Sequence, residues 1–215
     1  MKIAVSFLSS NDYQECIQKI NSSTADYLHV DMCDGKYVAT SNFVLNKLIK
    51  LLSLSTRPLD IHLMTMNPEK YIEALAYLNV DTFTFHLNSN KDPMNTIKLV
   101  KSMGLKVGIA LNPDEDIDLI MPYLKDLDQV LIMSVVPGKG GQPFMPEVLN
   151  KITKLNELKD DFHFITAIDG GIKAETMELI KPYYIDKIIS GSYITNNETD
   201  DYNLYINELK KLSKN

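Results

Sequence analysis

YLHVDMC, residues 27 to 33, is the stretch on which the fold turns. Its polar residues His29 and Asp31 stand two apart in an apolar run, and a β-strand sends alternate side chains to one face. Both therefore point the same way and can reach one ion. LDIHLM (59 to 64), TFTFHL (82 to 87) and HFITAID (163 to 169) repeat the pattern. Each is an apolar run of the kind buried in a parallel sheet, with a histidine or aspartate near its carboxyl end. His29, Asp31, His62 and Asp169 together form a donor set suited to a divalent metal. Polar residues at the carboxyl ends of several strands are the arrangement of a barrel enzyme.

Further strand candidates are IAVSFL (3 to 8), KVGIAL (106 to 111), QVLIMSV (129 to 135) and KIISGSYI (187 to 194), which bring the number to eight. A longer amphipathic stretch with Lys, Glu and Leu at helical spacing follows each. Caps precede several of these: Asn11 or Asp12 before YQECIQKI, Asn67-Pro68 before EKYIEALAYL, Asp92-Pro93 before MNTIKLVKSM. The expected fold is α/β, a (β/α)₈ TIM barrel forming a single catalytic domain over residues 1 to 215. A doubly wound open sheet is the competitor, but it would gather its site at one switch point. The tail NETDDYNLYINELKKLSKN (197 to 215) predicts a terminal helix.

With 215 residues and 45% hydrophobic content, the chain is long enough to bury a sizeable core. A net charge of −6 gives no field to attract nucleic acid or an anionic membrane, so neither is expected as a partner. The opening MKIAVSFLSSND turns polar too soon for a secretory signal, and the expectation is a cytoplasmic protein. Cys16 and Cys33 lack metal-knuckle or redox spacing and imply no disulfide.

Glycine turns mark the second half. VVPGKGGQPF (135 to 144) follows strand six, DGGIKAET (169 to 176) follows strand seven, and SGSYIT (190 to 195) lies in strand eight. Glycine permits positive φ and close backbone approach, so successive amides can converge on a phosphate without a basic residue. In barrels the loops after strands seven and eight are a recurrent phosphate site.

These residues resemble the ribulose-phosphate 3-epimerase family. HVDMCDG (29 to 35) is similar to its His-x-Asp-x-Met-Asp-Gly motif, and DIHLM (60 to 64) to its second-histidine motif. MSVVPGKGGQPFMPEVLNKI (133 to 152) looks like its phosphate loop and following helix, and AIDGGI (167 to 172) its second-aspartate motif. AVSFLSSND, ALNP (110 to 113) and SGS (190 to 192) extend the likeness over roughly residues 2 to 195.

The resemblance implies a barrel of the ribulose-phosphate-binding type. It also implies one divalent metal ion (Zn, Fe, Mn or Co) on His29, Asp31, His62 and Asp169, with no organic cofactor. Asp31 and Asp169 would double as the acid/base pair. Ser6, His62, Met64 and Met133 would meet the sugar, and Gly138, Gly140, Gly141, Gly170, Gly171, Gly191 and Ser192 would frame its phosphate. The implied reaction is 3-epimerisation of a ketose phosphate in the pentose phosphate pathway, D-ribulose 5-phosphate to D-xylulose 5-phosphate. It would proceed by two-carboxylate proton transfer through a metal-stabilised ene-diolate. A homo-oligomer is also implied.

Some positions depart from the family pattern. Cys33 stands for a methionine, Lys36 to Thr40 for His-Phe-Val-Pro-Asn, Val136 for a polar residue and Lys139 for an aromatic one. They bear on which sugar fits and keep D-allulose 6-phosphate as the alternative substrate. A non-catalytic phosphate-binding barrel is the alternative of another class, opposed by the intact donor set. A barrel lyase commonly needs a lysine by the reacting carbon, and the strands offer none apart from Lys36 in a loop.

Other polar residues have plainer readings. His86 is a strand-end residue and not a fifth ligand, and His163 has no role. Asp34 forms a turn. Asp60 shares a face with His62 and is placed to orient that imidazole or to sit satisfied in the barrel floor. Cys33 has nothing beside it to make a nucleophile.

Overall fold

The computed structural model describes residues 1–197 and 199–213. Eight strands form a closed barrel in chain order, all neighbours parallel, with β1 (Lys2–Ser6) sealed against β8 (Lys187–Ser190). Between these lie β2 (Tyr27–Cys33), β3 (Leu59–Met64), β4 (Val80–His86), β5 (Lys106–Leu111), β6 (Gln129–Met133) and β7 (Ile165–Asp169). The helices are α1 (Tyr13–Ser22), α2 (Leu45–Leu52), α3 (Glu69–Leu75), α4 (Pro93–Ser102), α5 (Leu149–Leu158), α6 (Ala174–Ile180), α7 (Ser192–Thr195) and α8 (Tyr202–Leu212). The expected barrel is present.

Asp12 caps α1 by accepting from Glu15 N at 3.0 Å, and Asp92 caps α4 by accepting from Asn95 N at 3.1 Å. The Asn67 cap fails. Pro68, its φ fixed at −62°, takes the N-cap of α3 with no side-chain bond, while Asn67 turns the chain at φ 53°. Strand eight is shorter than expected. Gly191, at φ −109° and ψ −96°, leaves the extended region, and Ile194 N donates back to its carbonyl, so residues 192 to 195 form α7. Between β5 and β6 the expected helix is replaced by two 3₁₀ turns, Ile117–Leu119 and Leu124–Asp126. Pro122 lies between them and has no N–H to continue a helix. The tail helix is α8; Glu198, Lys214 and Asn215, which fell within the expected tail, lie outside the described residues.

The main core lies between barrel and helices, where Phe83 and Phe85 of β4 are fully buried with Ile17, Leu48 and Ile152. Truncating either phenylalanine to alanine would cost about 3–5 kcal/mol. Inside the barrel the two sides differ. Ala4, Ala110, Leu131, Ala167 and Ile189 form a small apolar cluster, whereas β2, β3 and β4 turn His29, Asp60, His62, Thr82, Thr84 and His86 inward, all buried. Gly108 suits this narrow interior. A Cβ there would lie 2.8 Å from Thr84 Oγ1 and 3.1 Å from Gln129 Cβ, and those two side chains hydrogen-bond across it.

Candidate active site

The site is assembled by strand register. His29 stands opposite Asp60, and Asp31 opposite His62, in the β2–β3 ladder, while Asp169 ends β7. One donor atom from each of His29, Asp31, His62 and Asp169 lies within 4.8 Å of the others. Asp31 Oδ1 is 3.1 Å from His62 Nδ1 and 3.3 Å from His29 Nε2; Asp169 Oδ2 is 3.8 Å from each of the same two nitrogens.

The other ring nitrogens are also engaged. His29 Nδ1 faces Asp60 Oδ2 at 2.8 Å, and His62 Nε2 faces His86 Nε2 at 2.9 Å. Partners on the far nitrogen fix the tautomer and aim the lone pair of the near one. With His62 offering Nδ1 as a donor, its Nε2–H donates to His86, which then carries its own proton on Nδ1. Two imidazoles and two carboxylates so arranged fit a divalent cation.

The surroundings of the two carboxyl groups push their pKa values in opposite directions. Burial disfavours the Asp31 anion, but His29 and His62 outweigh it and hold the group well below the ordinary carboxylate range. Ser6 Oγ also donates to Asp31 Oδ2 at 2.7 Å. Burial and the Asp31 charge push Asp169 up to about 8. Burial likewise opposes charge on His29, yet Asp31 and Asp60 raise its pKa well above the usual value. His86 goes the other way, lowered by burial and by His62.

Asp31 and Asp169 open onto a cavity of about 550 Å³. Ser6, Met64, Met133, Gly138, Gly140, Gly141, Gly170, Gly171, Gly191 and Ser192 all line it. His62 does not, being fully buried behind Asp31. Gly170, at φ 122°, passes so close to Val135 that a Cβ would lie 2.6 Å from Cγ2. Of the departures, Val136 and Lys139 line the cavity, and Val38 packs on Gly138.

Two polar readings need correcting. Asp60 shares a face with His62 but pairs with His29, because register brings it across the ladder and not along its own strand, and with Lys187 on its other oxygen it is the satisfied buried carboxylate of the second reading. The strands do offer a lysine: Lys187 opens β8, 1% exposed, with Nζ 2.9 Å from Asp60 Oδ1. It sits toward the amino end of the barrel and does not line the cavity. His86 ends β4 and lies outside the donor group, as expected; it is fully buried, contacts His62, and its ring centre lies 4.7 Å from that of Tyr37 with the planes tilted by 31°. The alternation in TFTFHL gives its inward face; its neighbour needed the fold. His163 is exposed and precedes β7. Asp34 does form a turn, accepting from Lys36 N and Tyr37 N. Burial pushes the Cys33 thiol up to about 12, so it is no thiolate.

A closed βα barrel that gathers buried carboxyl and imidazole groups at the carboxyl ends of its strands defines a barrel enzyme. The ribulose-phosphate 3-epimerase family matches residues 2–195. A ribulose-phosphate 3-epimerase of Helicobacter pylori is 36% identical over 215 residues, covering 99% of this chain and 98% of that protein. One of Buchnera aphidicola is 35% identical over 220 residues, covering 99% and 96%. The chain belongs to the ribulose-phosphate 3-epimerase family, whose class is the carbohydrate epimerases among the isomerases. Among solved structures, KGPDC from Streptococcus mutans superposes with a TM-score of 0.70 at 16% identity, covering 98% of this chain and 97% of that one. The 3-hexulose-6-phosphate synthase from Salmonella typhimurium gives 0.68 at 14%, covering 99% and 98%. At such identities the likeness speaks for the fold alone. Among the described residues, no helix is long and apolar enough to cross a membrane.

Proposed function

We propose that the chain interconverts D-ribulose 5-phosphate and D-xylulose 5-phosphate by moving the C3 proton between two carboxyl groups. One observation carries this. Asp31 and Asp169 enter the same cavity from β2 and β7, and each carries a carboxyl oxygen 3.8 Å or less from both His29 Nε2 and His62 Nδ1. Inverting a carbon beside a ketone needs that pair, a base on one face and an acid on the other. Asp31, aimed by Ser6, removes the proton; Asp169 delivers one to the opposite face. The roles exchange in the reverse direction.

His29, Asp31, His62 and Asp169 would hold one divalent ion, Zn, Fe, Mn or Co. When bound, it would supply Lewis-acid polarisation of the ketone. Met64 and Met133 exclude water from the reacting carbon. The amides of the glycine loops, with Ser192, receive the phosphate; positive φ at Gly138, Gly141, Gly170 and Gly171 supports that convergence. A homo-oligomer working in the cytoplasm is part of the same reading. D-allulose 6-phosphate is the alternative substrate, kept open by the departures Val136 and Lys139 on the cavity wall.

The test is proton NMR of metal-loaded protein with each sugar phosphate. Formation of D-xylulose 5-phosphate is expected. Turnover of D-allulose 6-phosphate alone would transfer the reading to that sugar, and no turnover of either would refute it.

A further inference from the structure

We propose that Lys187 is a positioning residue for the metal centre: it clamps the Asp60 carboxylate behind His29, so that His29 Nε2 stays aimed at Asp31 and Asp169. The inference rests on the metal-binding part of the function proposed above. Asp60 divides its oxygens, Oδ1 to Lys187 Nζ at 2.9 Å and Oδ2 to His29 Nδ1 at 2.8 Å. An unbroken chain thus runs from the amino end of β8 through β3 to the donor group.

A buried ammonium is costly, and the fold has a cheaper place for a lysine that opens a strand. Lys2 opens β1 and Lys106 opens β5, yet their side chains remain 63% and 56% exposed and pair with Asp26 and Asp81. The Lys187 side chain is 1% exposed. It turns inward, crosses to Asp60 and lies 4.5 Å over the Tyr27 ring. Without it, Asp60 would be a buried carboxylate with one remaining partner and freedom to rotate. Groups behind a ligating histidine typically change metal affinity by about 10- to 100-fold when removed.

The experiment is a Zn²⁺ titration against a competing chelator, made on metal-free wild type, Lys187→Met, Asp60→Asn and the double variant, with thermal unfolding of each metal-free protein alongside. Lys187→Met should bind Zn²⁺ about tenfold or more weakly, Lys187→Arg should recover much of the loss, and Lys187→Met should add little in the Asp60→Asn background. If Lys187→Met does not fold, Lys187→Gln takes its place in the cycle. Wild-type zinc affinity in Lys187→Met, or losses that simply add in the double variant, would make Lys187 a floor residue and overturn the proposal. A wild type that binds no zinc would remove the metal centre itself.

Discussion

Asp31 and His62 stand opposite one another in the β2–β3 ladder, and their side chains meet at 3.1 Å. With His29 and Asp169 they present four donor atoms within 4.8 Å. Removing one imidazole leaves three donors. His62→Ala and His29→Ala are each expected to weaken Zn²⁺ binding by at least about 100-fold, beyond what partners outside the donor group usually contribute. Chelator competition measures this, and near wild-type affinity in either variant would exclude that residue as a ligand.

Asp31→Asn and Asp169→Asn each remove one end of the proton transfer. Turnover should fall by about 100- to 10,000-fold in both, the usual worth of a positioned acid or base. Steady-state kinetics on folded variants provides the check, and appreciable activity in either would sink the two-carboxylate mechanism.

Ser6 has a narrower task. Its hydroxyl donates to Asp31 at 2.7 Å in a buried setting. A hydrogen bond to a charged group contributes about 1.5–3 kcal/mol. Ser6→Ala should therefore lower kcat/KM about tenfold or more; unchanged kinetics would deny Ser6 a part in aiming the base.

Most of the barrel is legible in the sequence, because β-strand alternation and helical spacing are local patterns. All four donors lie on strand patterns and the cavity's glycines on turn motifs, while Met64 and Met133 are marked only by the family resemblance. What local pattern misses is register. Asp60 looks like the partner of His62, two residues away, but the ladder delivers it to His29. Nothing in KIIS reveals that Lys187 turns inward to a carboxylate 127 positions earlier. Backbone punctuation misleads in two places: Gly191 ends β8 early, and Pro122 leaves the stretch before β6 in 3₁₀ turns.

Asp26 gives a pH signature remote from the donor group. Burial opposes its charge, but the Ile3 amide, Lys2 and Lys210 outweigh this and lower its pKa below the ordinary value. A carboxyl lowered on folding stabilises the protein above its unfolded pKa, about 3.9, and loses that contribution as pH falls through the folded value. Asp26→Asn should cost about 1 kcal/mol at pH 7 and progressively less below pH about 4. Urea unfolding across pH measures the difference, and a cost that grows on acidification would reverse the assignment.

Solvent exchange at C3 is the most direct trial of the epimerase. Metal-loaded protein is incubated in D₂O with D-ribulose 5-phosphate and, separately, with D-allulose 6-phosphate, and NMR follows deuterium at C3 together with the epimer. Deuterium should enter C3 of D-ribulose 5-phosphate as D-xylulose 5-phosphate forms, and Asp31→Asn should slow both by about 100- to 10,000-fold. Epimer formed without deuterium at C3, or no exchange with either sugar in protein shown to hold metal, would contradict proton transfer by Asp31 and Asp169.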